Sequence, residues 1–161
     1  MVAGLLGRSP AGTTVYVENF SGRDVTLELD GRPWIRADDG TSQQAAIPFG
    51  VHEVVTRSAD GTAELDRHRV EAKQVAKEPL PKDADERDYP YIFNVLGAQT
   101  YLKGKVWYSE NPNPGGASGE RVNDVWILAD VDLLFRDPPD TLKVHKNTAL
   151  ASLSFIKREK R

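Results

Sequence analysis

The chain has 161 residues, 39% of them hydrophobic, no cysteine, and a formal net charge of -3. That length is enough for one domain, or for two small units sharing an interface, around a core that needs neither disulfide nor metal. The absence of cysteine excludes disulfides, thiolate catalysis and Cys-ligated zinc or iron–sulfur sites. So slight a net charge lacks the basic stripe expected of a nucleic-acid binder.

Residues 1–12, with Gly, Ala and Pro among them, read as a flexible lead-in. Met1 to Gly7 is mildly apolar but has neither the basic start nor the apolar length of a signal peptide, and no stretch reaches transmembrane length. The chain as given is therefore expected to be cytoplasmic, or extracytoplasmic if its N-terminus is truncated. Thr13 to Phe20 reads as a strand with Val15, Val17 and Asn19 on one face and Tyr16, Glu18 and Phe20 on the other. After a turn at Ser21–Asp24, Val25-Thr26-Leu27-Glu28-Leu29 alternates strictly, so a hairpin joining the two strands is expected. Asp30-Gly31 closes that strand, because Gly meets the positive φ of a tight turn without steric cost. Arg32 to Ile35 leads to a loop at Asp38–Ser42, and Ala45-Ala46-Ile47 approaches Pro48-Phe49-Gly50. Val51 to Ser58 forms the next strand and turns at Asp60-Gly61 into Thr62–Val70.

Residues 76–89 hold Pro79, Pro81 and the charged run Lys82–Asp88, and read as a surface crossover between a first β unit at 13–75 and a second at 90–156. In the second unit, Tyr89 to Leu96 is a strand. Thr100 to Tyr108 alternates, with Tyr101, Lys103, Lys105 and Trp107 opposed to Leu102, Gly104, Val106 and Tyr108. Asn111 to Gly119 has the composition of a loop. Val125 to Phe135 is long and apolar, a central strand or a helix, with its density of β-branched residues favouring strand, and it ends at Asp137-Pro138-Pro139-Asp140. Leu142 to His145 alternates briefly, Leu150 to Ile156 is a last strand, and residues 157–161 form a basic tail.

The stretch Val15 to Val70 resembles the PEGA-type, carbohydrate-binding-like small β-sandwich module. The residues that carry the likeness are Val25-Thr26-Leu27-Glu28-Leu29-Asp30-Gly31-Arg32-Pro33 and Ile47-Pro48-Phe49-Gly50-Val51-His52-Glu53-Val54-Val55. They place a strand ending in Asp-Gly ahead of a Pro-x-Gly turn that opens a second strand. The chain departs from the family's layout at Asp60-Gly61-Thr62, where a Gly-aromatic step is usual. The resemblance covers just over a third of the chain and implies a sandwich with an accessory, non-catalytic role and no catalytic residues. The whole chain is accordingly expected to be all-β, an antiparallel sandwich of Ig-like or PEGA-like kind, as one domain or two closely packed small units.

No catalytic constellation assembles from the residues. His52, His68 and His145 lack the close spacing of zinc ligands. A site could be composed from His52 and His68 across the Asp60-Gly61 turn, with Glu53 or Asp66, but separate surface histidines are the simpler reading. Asp130 and Asp132 would share one face of a strand, as cation ligands or a glycosidase pair do, or simply as the wet side of that strand. Asp38-Asp39-Gly40 lacks the spaced oxygens of a calcium loop. No serine lies in a Gly-x-Ser-x-Gly elbow, and Gly115-Gly116-x-x-Gly119 lacks the Lys-Ser/Thr of a phosphate loop.

The candidate binding residues are Tyr101, Lys103, Lys105 and Trp107, aromatic and cationic side chains interleaved on one strand face. They suit stacking on a sugar, or on bases while the lysines contact phosphate, or the rim of a sandwich whose exposed edge the lysines guard. The sequence thus predicts a non-enzymatic protein-interaction or assembly module, with no cofactor and no metal. A glycan-binding module using Tyr101 and Trp107 is the alternative, and a metal-dependent hydrolase comes third. The expected partner is another protein, or else a glycan.

Overall fold

The computed structural model describes residues 11–75, 89–108, 114–139 and 151–159. Within them the chain forms twelve strands: β1 (Gly12–Asn19), β2 (Val25–Leu29), β3 (Arg32–Ala37), β4 (Thr41–Pro48), β5 (Gly50–Ser58), β6 (Glu64–Ala72), β7 (Tyr91–Asn94), β8 (Tyr101–Tyr108), β9 (Pro114–Val122), β10 (Trp126–Leu128), β11 (Leu133–Leu134) and β12 (Ala151–Arg158). A single 3-10 turn, Val95–Gly97, follows β7. The protein is all-β, as its alternating segments require, and no helix among the described residues is long and apolar enough to cross a membrane. Most of the expected crossover at 76–89, the segment Leu142–His145 and the last two residues of the tail lie outside the described residues.

The strands form three four-stranded sheets, ordered β10-β7-β1-β4, β3-β2-β5-β6 and β11-β12-β8-β9. The first is central. Its strand β1 pairs antiparallel with β4 and parallel with β7, so strands from either side of residues 76–88 share one hydrogen-bonded sheet. Val15, Val17, Ile47, Tyr91 and Phe93 pack with Val25, Leu27, Val54 and Val70 of the second sheet. Ile92 and Ile127 pack on the opposite face with Tyr101 and Ile156 of the third. The architecture is a sandwich in which the middle layer has two buried faces, which is why β7 is apolar at every position except Asn94.

Four expectations about individual elements need correction. The hairpin between the first two strands does not form: β1 belongs to the central sheet, β2 to the second, and residues 20–24 cross between them. Asn19, fully buried, holds this corner by donating from Nδ2 to the carbonyls of Arg23 and Ala37, both at 2.8 Å, while its Oδ1 accepts from the Ser21 N–H and hydroxyl. Residues 111–119 are not simply a loop, because β9 begins at Pro114 and pairs along the whole of β8. The run Val125–Phe135 is not one strand but two short ones in different sheets, β10 beside β7 and β11 beside β12. Finally, β12 continues through Lys157 and Arg158, residues expected in the tail.

Candidate functional site

In the third sheet, β8 lies between β12 and β9, and cross-strand partners share a face. Lys103 stands between Ile156 and Glu120, Lys105 between Ser154 and Ser118, and Trp107 between Ser152 and Gly116. At one end of this face Tyr101 and Ile156 are fully buried in the second core. Farther along, the residues become small and polar, and a groove of about 590 Å³ opens there, with Lys103, Lys105, Ser118, Glu120, Ser152 and Ser154 along it. One wall is the chain between β10 and β11, which brings Asp130 and Asp132 over the sheet.

Two contacts fix that wall. Lys103 Nζ donates to Asp130 Oδ1 at 2.9 Å. Ser154 donates to Asp132 Oδ2 from its backbone N–H at 2.9 Å and its hydroxyl at 3.0 Å, and the Asp132 N–H donates back to Ser154 Oγ at 2.9 Å. The two aspartates do lie on one side of the chain, but on a segment crossing between sheets rather than on a strand. Lys105, Glu120, Ser118 and Ser152 engage no other described side chain, which leaves an ammonium, a carboxylate and two hydroxyls available in the groove.

The row Tyr101, Lys103, Lys105, Trp107 is therefore divided. Tyr101 is not a surface platform: its ring is 0% exposed, and its hydroxyl donates to Glu18 Oε1 at 3.1 Å. Burial first, then the neighbouring Glu18 carboxylate, pushes the phenol well above its usual range. Lys103 is half-buried and paired with Asp130, Lys105 is exposed, and Trp107 is half-buried between two residues with little or no side chain. The missed contributors, Ser118 and Glu120, lie on the strand whose Gly-rich start had the composition of a loop. The need for β8 to find a partner on each side was the signal that could have recovered them.

The other candidates do not converge. His52 lies opposite Val70, and His68 opposite Val54. His52 Nδ1 is 2.6 Å from Asp30 Oδ2, and its Nε2 is 2.7 Å from the Pro48 carbonyl oxygen. His68 faces Asp66 at 3.6 Å. Each imidazole thus has its own carboxylate, and among the described residues no three His, Asp or Glu side chains gather as metal ligands would. The Asp30 carboxyl is held below its ordinary value chiefly by the hydrogen bond from His52, against a smaller opposing effect of burial.

No protein-family model, no curated protein and no solved structure matches the chain.

Proposed function

We propose that this chain is a non-catalytic protein-interaction module that takes an extended segment of another protein as an added strand along the outer edge of β9. The observation that carries this reading is the character of that edge. Among the described residues β9 pairs only with β8, is nine residues long, and has no charged side chain from Pro114 to Gly119. Open edges are normally blunted by charge, proline or cover. The edge strand β6 carries Glu64, Asp66, Arg67, Arg69 and Glu71. The edge strand β3 carries Arg32, Pro33 and Arg36. The edge strand β4 meets β3 at their shared corner, where Gln43 Nε2 donates to the Arg36 carbonyl at 2.8 Å. The outermost strands β10 and β11 are only three and two residues long. Strand addition uses main-chain hydrogen bonds for affinity and alternate side-chain positions for specificity. Between its terminal Pro114 and the charges at Glu120 and Arg121, β9 offers an outer edge that no described strand covers, with a groove beside it.

Site-resolved photo-cross-linking tests this reading. A photoreactive residue installed at Ser118 in the tagged full chain should give a discrete protein adduct from a lysate of the native host, while the same residue at Arg69 on the β6 edge should not. Adducts equal at both positions, or none at Ser118, would refute the assignment of β9.

A further inference from the structure

The side chains around the β9 edge also specify what the incoming segment should look like, an inference that rests on the strand-addition reading above. A strand paired antiparallel to β9 meets Glu120, Gly119 and Ser118 in that order along its own N-to-C direction. Glu120 lies on the groove face and is exposed; its cross-strand neighbour Lys103 is bonded to Asp130, so Glu120 makes no ion pair among the described residues. The residue opposite it would sit a few ångströms away on the same face, where an opposite charge stabilises the pair and a like charge does not.

Two positions along, the residue opposite Ser118 lies on that same face. Lys105 is the next residue inward, paired in register with Ser118 on the other side. Its strand would be two strand spacings from the added one, roughly 9–10 Å. The small Ser118 side chain between them lets the long ammonium arm reach across to a carboxylate. Neither Asp130, bonded to Lys103, nor Asp132, bonded to Ser154, forms a hydrogen bond with this ammonium.

Between these two positions the added strand points to the other face, opposite Gly119. A Cβ built on Gly119 would lie 3.1 Å from Leu102 Cδ1, so Leu102 already leans over the missing side chain. A large apolar residue on the added strand can therefore cover Gly119 and rest on half-buried Leu102, as aromatic residues do when they cover glycines in neighbouring strands.

We propose that β9 selects an extended segment with the order basic, large apolar, acidic from its N- to its C-terminus, the basic residue facing Glu120, the apolar one crossing Gly119 to Leu102, and the acidic one facing Lys105. Peptides selected from a random phage-displayed library against the immobilised full chain provide the test. The expected result is enrichment of Lys/Arg–Φ–Asp/Glu, where Φ is a large apolar residue. A synthetic peptide with its two charges exchanged should bind wild-type protein about tenfold more weakly, the size of two exposed charge pairs turned into repulsions. The double variant K105E/E120K should reverse that preference, and its folding can be checked by circular dichroism. The peptide exchange needs no protein variant, so it decides the matter even if the double variant misfolds. Peptides selected without charge order, or bound equally in both orders, would overturn this inference and leave strand addition standing. Recovery of no binding peptide would overturn both.

Discussion

Arg158 closes a two-pronged ion pair on Glu18 across 140 residues of sequence, with Nε 2.7 Å from Oε1 and Nη2 2.8 Å from Oε2. The carboxylate is 0% exposed, whereas the arginine side chain is 35% exposed. Its guanidinium carbon lies 4.2 Å from the ring centre of Phe135 and 5.3 Å from that of Phe20. The pair joins the central sheet to the third one, and Tyr101 adds a hydrogen bond to the same carboxylate.

The pair is therefore asymmetric. Arg158→Ala leaves a buried carboxylate without its cation and should destabilise the protein by about 3–5 kcal/mol. Glu18→Gln leaves a guanidinium that water can still reach, and should cost clearly less. The double variant Glu18→Met with Arg158→Met should be more stable than Arg158→Ala alone, because no buried charge remains unpaired. Urea unfolding of the three variants checks this ranking.

Tyr101 should remain un-ionised in the folded protein well above its ordinary value of 10.0, because burial and the Glu18 carboxylate both oppose the phenolate. A raised folded value means that this contribution to stability is complete below the unfolded value and is lost as pH rises beyond it. Alkaline titration followed by tyrosinate absorbance should show one phenol ionising only with unfolding, and Tyr101→Phe should remove that step.

Asp60 caps the β5–β6 turn. Its Oδ1 accepts from the Ser58 hydroxyl at 2.6 Å, and from the Thr62 N–H at 3.0 Å and hydroxyl at 2.7 Å. These bonds, with Ser58 foremost, pull its pKa from 3.8 down to about 2. Because the folded value is depressed, the stabilising effect is present above the unfolded value and is lost as pH falls through about 2. Carboxyl NMR titration should return that low value in the wild type and a higher one in Ser58→Ala.

Gly104 is required where β8 crosses β9 and β12. A Cβ there would collide with the Ser118 carbonyl oxygen and would lie 2.9 Å from Gly119 Cα and 3.0 Å from Phe155 Cζ. Gly104→Ala should therefore destabilise the protein by about 1–3 kcal/mol, as overpacking does. It should also speed hydrogen exchange at the amides that pair β8 with β9. Unchanged exchange across that pair would show that the strands accommodate the methyl group without separating.

Local chemistry was sufficient to place many of the strands. Alternation in Val25–Leu29 and Thr100–Tyr108 and the turn at Asp30-Gly31 all appear where the residues put them, because period two and positive φ are properties of a few neighbouring residues. Parts of the groove were visible in the same way, since the pattern put Lys103 and Lys105 on one face. The same pattern placed Tyr101 with them but could not tell that Ile92, Ile127 and Ile156 would cover it, because alternation sorts side chains by face and is silent about what packs on that face. Alternation likewise placed Glu18 on a face with Tyr16 and Phe20 without showing that the face is buried or that its partner Arg158 lies 140 positions away. Nor could local pattern choose β4 and β7 over β2 as the partners of β1. That choice depends on burying both faces of β1 at once, a property of the assembled layers rather than of any one segment.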